Sequence, residues 1–150
     1  MIVPEEEEVY FEGLLTEEFE IQLDQLSSGN FQLDLEFNTD DMTGFGGFQF
    51  MGVSLHDNIR IFTNQQRDIA IDSGNAVWGF MYLLEKCPLL KEGINRITVQ
   101  REENLYSIFV NGEFLYWFDY IQPLTDNLSS ANIGSFGKPA FHRISASRIP

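Results

Sequence analysis

Leu105-Tyr106-Ser107-Ile108-Phe109-Val110-Asn111-Gly112-Glu113-Phe114-Leu115-Tyr116-Trp117-Phe118 is the stretch that decides the fold. Two aromatic-rich apolar runs flank an Asn-Gly pair, and Asn-Gly supports the positive φ angles of a type I′ turn, whose twist matches that of paired strands. A β-hairpin is expected here. Ile94 to Arg101 supplies the strand before it, and Ala131 to Gly134 and Phe141 to Ala146 supply the last two. Upstream, Phe19 to Leu26 and Phe31 to Phe37 alternate apolar with polar residues on either side of Ser27-Ser28-Gly29-Asn30, the pattern of two half-buried strands joined by a turn. Strand character returns at Phe48 to Leu55, Ile59 to Phe62, Ile69 to Ile71 and Val77 to Leu84. Asp40 to Phe48, rich in Gly and Asp, reads as a loop, and Gly93, Gly112, Gly134 and Gly137 read as turn residues.

With strands separated by turn signals and no convincing amphipathic helix, the fold class is all-β, a two-sheet antiparallel β-sandwich. A chain of 150 residues is expected to form one core. Residues 1–8 are expected to be an acidic flexible lead, and residues 9–150 the domain, because Met1 to Glu8 has little to bury until Val9, Tyr10 and Phe11.

The formal net charge is −14, and it is unevenly placed: no Lys or Arg precedes Arg60, while fourteen Asp and Glu residues do. Such a surface repels phosphate backbones and anionic lipids, so neither nucleic acid nor a membrane is an expected partner; the acidic half reads first as a solvated, solubilising surface, with attraction of a basic protein as the alternative reading. Cys87 stands alone, so no internal disulfide forms, and it reads as a small buried hydrophobe. The N-terminus lacks the basic and apolar segments of a secretion signal; cytoplasmic or nuclear residence is expected, with export by an unconventional route left open.

Catalytic patterns are missing. His56 and His142 have no zinc-ligand spacing around them, no G-x-S-x-G is present, and the closely spaced carboxylates, Asp34 with Glu36 and Glu18 with Glu20, stand on strands whose polar face is simply acidic. The expectation is a non-enzymatic protein that uses no cofactor and no metal.

From Val9 onward the order of segments resembles a galectin carbohydrate-recognition domain. The resemblance is clearest in Trp78-Gly79, then Pro88 and Gly93, Ile94 to Val99, Tyr106 to Gly112, and Phe118 to Pro123. It implies a concanavalin A-like jelly roll with a ligand on its concave sheet. Galectins hold a β-galactoside with an H-x-N-x-R strand, a later Asn, and a W-G-x-E-x-R strand. His56-Asp57-Asn58-Ile59-Arg60 fits the first pattern, Asp72 falls where the later Asn belongs, and Trp78 opens the third. The resemblance therefore makes His56, Asn58, Arg60, Asp72 and Trp78 the candidate glycan site. Two readings of His56 to Asn58 stand side by side: a ligand-facing strand, or a turn, which Asp and Asn favour.

The third motif departs from the family, since Met81 replaces the Glu and Leu83 the Arg. The lost carboxylate is the one that orients the arginines and accepts sugar hydroxyls, so Arg60 is expected to be left without a partner. The expected function is a galectin-like binding module with its β-galactoside site degraded, mediating protein–protein interaction; the alternative is a lectin of altered or weak galactoside specificity. A homodimer is implied by the resemblance alone.

Overall fold

Phe31, Leu33, Leu35 and Phe37 alternate with Gln32, Asp34, Glu36 and Asn38. A computed structural model, which describes residues 7–15, 19–22, 30–52, 58–73, 81–102, 105–119, 128–136 and 141–148, removes the first set wholly from solvent and leaves the second half-buried. This is the period-two burial of a strand covered on one face.

Twelve strands form among the described residues: β1 (Glu7–Leu15), β2 (Phe19–Gln22), β3 (Phe31–Asn38), β4 (Phe45–Gly52), β5 (Asn58–Asn64), β6 (Ile69–Ser73), β7 (Met81–Leu84), β8 (Ile94–Glu102), β9 (Leu105–Val110), β10 (Glu113–Asp119), β11 (Leu128–Phe136) and β12 (Phe141–Arg148). They make two six-stranded sheets. Sheet A has the order β1-β12-β3-β8-β9-β10 and sheet B the order β2-β11-β4-β5-β6-β7, with antiparallel neighbours throughout. The protein is an all-β, two-sheet antiparallel sandwich, as the hairpin reading required.

The core lies between the sheets. Sheet A contributes Leu33, Leu35, Ile97, Val99, Tyr106, Ile108 and Ile144, and sheet B contributes Ile61, Ile69 and Ile71. Each fully buried aliphatic side chain of this kind stabilises the fold by about 1.5–3 kcal/mol before entropy is set against it. Cys87 is buried at the margin of this core. On one side of the sandwich the two edge strands, β7 and β10, are joined by a stack of Tyr82 on Tyr116, with ring centroids 4.3 Å apart.

The Asn-Gly turn takes the expected form, with φ of 53° at Asn111 and 84° at Gly112. Asn111 does more than turn the chain. Its Oδ1 accepts from the Arg96 backbone N–H at 2.9 Å, and its Nδ2 donates to the Leu89 carbonyl at 2.8 Å and to Asn95 Oδ1 at 2.9 Å. Asn95, 1% exposed, also accepts from the Lys91 N–H and donates to the carbonyls of Lys91 and Gly93. This pair of asparagines ties the hairpin to the loop before β8.

Several boundaries differ from the sequence expectation. Strand β1 opens at Glu7, so the pairing with β12 takes in the last two residues of the acidic lead. The expected loop from Asp40 to Phe48 is shorter: a single 3-10 turn at Thr39–Asp41, capped by Asn38, gives way to β4 at Phe45. Gly46 and Gly47 therefore sit inside a strand. The reason is close backbone approach, since a Cβ at Gly47 would collide with the Ile61 carbonyl. Gly134, expected in a turn, pairs with Gly47 inside β11. The expected flexible segment at residues 1–6, and Gly137, lie outside the described residues.

Candidate ligand-binding face

The outer face of sheet B is set by the hairpin of β5 and β6. Its turn is fixed by a reciprocal pair: Asn64 Nδ2 donates to Asp68 Oδ2 at 3.0 Å, and the Asp68 N–H donates back to Asn64 Oδ1 at 3.1 Å. The Lys86 N–H donates to Asp68 Oδ1 at 3.0 Å, so the turn is also tied to the chain leaving β7. The Asn64 side chain first, and the Lys86 N–H second, hold the Asp68 carboxyl below its ordinary pKa. With the turn fixed, the register follows: Arg60 faces Asp72, Ile61 faces Ile71, and Phe62 faces Ala70.

Since Ile61 and Ile71 point into the core, Arg60 and Asp72 stand on the opposite face. There they meet as a fork. Arg60 Nε donates to Asp72 Oδ1 at 2.8 Å and Nη2 donates to Oδ2 at 3.0 Å, the bidentate geometry that fits a planar guanidinium to a carboxylate. The Arg60 side chain is 41% exposed and that of Asp72 17%, so the pair is open to a ligand while Asp72 is partly shielded. Nη1 lies outside the fork.

Successive pairings place Asn132, Gln49, Arg60, Asp72 and Met81 in one row across the sheet. The adjacent row is Gly134, Gly47, Phe62, Ala70 and Leu83. One row is thus mainly polar and the next apolar. Leu83, in the apolar row, is 56% exposed.

Of the sequence-predicted site residues, Arg60 and Asp72 are brought together as cross-strand partners, and Asn58 opens β5 two residues before Arg60. His56 and Trp78 lie outside the described residues, as does the choice between strand and turn at His56 and Asp57. One expectation is corrected. Met81 does not leave Arg60 without a carboxylate, because Asp72, at the position to which the galectin resemblance assigned an Asn, supplies one from the neighbouring strand.

Among the closely spaced carboxylates, Asp34 is engaged by its neighbours on sheet A, and Glu18 lies outside the described residues. Asp34 accepts from the Thr98 hydroxyl and from Gln32 Nε2, and it sits 3.9 Å from Arg96 Nε. Among the described residues no three His, Cys, Asp or Glu side chains gather as a metal site. What sequence reasoning missed is a β-bulge in β10. Phe114 pairs with Phe109 but Tyr116 pairs with Ile108, so Leu115 is an extra residue. Strict alternation would put Phe114, Tyr116 and Phe118 on one face; with the bulge, Phe114 (54% exposed) and Trp117 (55%) come to the outer face of sheet A. The only sequence signal was the density of large apolar residues from Phe114 to Phe118.

No family model matches the sequence, and no curated protein sequence matches it. Solved structures do share its fold. Sheep galectin-11 in complex with glycerol superposes with a TM-score of 0.62 at 13% identity, covering 87% of this chain and 96% of that one. The galectin LEC-6 of Caenorhabditis elegans gives 0.62 at 15% identity over 95% and 99%. The CBM40 domain of the Ruminococcus gnavus IT-sialidase, bound to α2,3-sialyllactose, gives 0.62 at 10% identity over 97% and 93%. The chain thus has the lectin-like β-sandwich fold shared by galectins and carbohydrate-binding modules.

Proposed function

We propose that this protein is a non-enzymatic, galectin-like binding module whose galactoside site has been rebuilt, giving a lectin of altered specificity for a neutral glycan. The observation that carries this reading is the Arg60–Asp72 fork on an open sheet face. A sugar hydroxyl both donates and accepts, so a guanidinium edge beside a carboxylate is matched to neighbouring hydroxyls. The fork also argues for neutrality: Asp72 cancels the charge of Arg60, and the chain carries −14, so an anionic sugar would be repelled. Asn58 and Arg60 would read hydroxyls, Asp72 would orient Arg60 and accept, and His56 and Trp78 would complete the site as the galectin resemblance implies. A sugar stacked on Trp78 would present its apolar face to the ring.

A protein-interaction role is the second reading, supported by the acidic excess before Arg60 and by the exposure of Leu83 where the family has Arg. An array of neutral and sialylated glycans tests the first reading. Neutral glycans should bind, and Arg60→Ala or Asp72→Ala should abolish the signal. Preference for sialylated glycans, or neutral binding unaffected by both substitutions, would overturn the assignment to this face.

A further inference from the structure

Three of the large apolar side chains that solvent reaches, Leu83, Phe114 and Trp117, stand on the two edge strands that flank one side of the sandwich. Leu83 is on β7, and Phe114 and Trp117 are on β10, with the Tyr82–Tyr116 stack between these strands. Phe109 packs edge-on against Phe114, centroids 5.9 Å apart, which holds the exposed ring in place. Natural sheets protect edge strands with lysine, proline or covering segments. From Glu113 to Asp119 β10 carries neither Lys nor Pro, and among the described residues its outer edge has no strand beside it.

The charge pattern selects the occupant. Acidic residues, Glu113 and Asp119, begin and end β10. A second copy pairing antiparallel about the strand centre would set Glu113 against Asp119 at both ends and bring together two chains of charge −14, and like charges directly opposite are destabilising. A strand with basic residues at its ends and apolar residues between them complements both the ends and the aromatic centre.

We infer that β10 is a docking edge onto which an extended segment of a basic partner protein adds as a further strand of sheet A. Backbone hydrogen bonds to the β10 edge give affinity, and contact with Phe114 and Trp117 gives selectivity. The inference rests on the second of the two functional readings, a protein partner, and specifies its surface.

Selection of random dodecapeptides displayed on phage against the full chain tests it. Enriched peptides should carry Lys or Arg flanking an alternating apolar stretch. Their affinity for Trp117→Ser and Phe114→Ser should fall roughly tenfold or more, as for aromatic anchors in other interfaces, while Phe45→Ser, which alters an exposed ring on sheet B, should leave it unchanged. N-methylation of alternate amides in a selected peptide should abolish binding in one phase and spare it in the other, because every second N–H faces the paired strand. No enriched peptide would overturn both the edge and the protein-partner reading. Enriched peptides insensitive to Trp117→Ser, or to N-methylation in either phase, would overturn the edge and leave the reading standing.

Discussion

Arg60 and Asp72 lie opposite each other on β5 and β6 and are joined by two hydrogen bonds, Nε to Oδ1 at 2.8 Å and Nη2 to Oδ2 at 3.0 Å. The pairing depends on the hairpin register, and the register depends on the Asn64–Asp68 turn at its end. The resemblance to galectins assigned the orienting carboxylate to position 81. Here the neighbouring strand provides it, which keeps Arg60 directed along the sheet while position 81 is free to be apolar.

The strength of this fork is measurable by a double-mutant cycle with Arg60→Gln and Asp72→Asn. Exposed ion pairs typically contribute about 0.2–1 kcal/mol, and with Arg60 41% exposed solvent screens the pair, so a coupling of about 0.5–1 kcal/mol is expected in urea unfolding. The bidentate geometry places it toward the upper end, and it should shrink as salt is added. A coupling of zero at low salt would mean that the fork is not held in solution.

Asn95 should be far less tolerant. It is 1% exposed, and its amide serves the Lys91 N–H, the carbonyls of Lys91 and Gly93, and Asn111. Asn95→Ala leaves these part-buried groups without their partner, at a cost of about 1–3 kcal/mol for any of them that water does not reach. Asn95→Asp keeps the shape but turns a donor into an acceptor facing two carbonyls, so it should not rescue stability in urea unfolding. A melting temperature of either variant equal to that of the parent would contradict the network.

Much of the fold was legible because period-two burial is a local signal. Phe31 to Asn38 declares its buried face residue by residue, and Asn111-Gly112 declares its turn. What could not be read depends on contacts between strands. Gly46 and Gly47 look like loop residues until β5 is placed beside them, and then Gly47 is required by the Ile61 carbonyl. The bulge at Leu115 cannot be positioned from a run in which every neighbour is apolar, because the density of large side chains does not say which of them is the extra residue. At the candidate site, Asn58 and Arg60 were legible as neighbours on one strand, and the twelve residues from Arg60 to Asp72 are the span of one hairpin. The fork itself was missed because the resemblance treated Asp72 as a stand-in for Asn rather than as a new charge.

Asp68 gives a pH signature. Its carboxyl is held below the ordinary value by Asn64 and by the Lys86 N–H, so the ionised form is the one the fold prefers. A depressed carboxylate contributes stability that is fully present above its unfolded pKa of about 3.9 and is lost as pH falls through the folded value. The difference in urea midpoint between the parent and Asp68→Asn should therefore be constant from about pH 7 to 5 and shrink as pH falls below about 4. A difference that grew on acidification would reverse the sign and exclude this role.

Lactose should bind the unmodified protein undetectably, or only in the high millimolar range, in calorimetry. A hydrogen bond to a charged group is worth about 1.5–3 kcal/mol, and about 1.4 kcal/mol is a factor of ten in affinity. Losing the carboxylate at Met81 and the guanidinium at Leu83 therefore weakens a galectin-type site by a few orders of magnitude. Restoring them with Met81→Glu and Leu83→Arg is not enough, because position 81 is the cross-strand partner of Asp72. Two carboxylates would then face each other, which is destabilising, and Asp72 would still hold Arg60. Adding Asp72→Asn removes that repulsion, releases Arg60 toward the new Glu and returns the residue that the galectin pattern has at this position. The triple variant should consequently bind lactose more tightly than the double variant, and the double variant should unfold at a lower urea concentration than the triple. Equal lactose affinity in the two folded variants would mean that Asp72 does not control the direction of Arg60; millimolar or tighter specific binding by the unmodified protein would show that the galactoside site had survived the loss of its Glu and Arg.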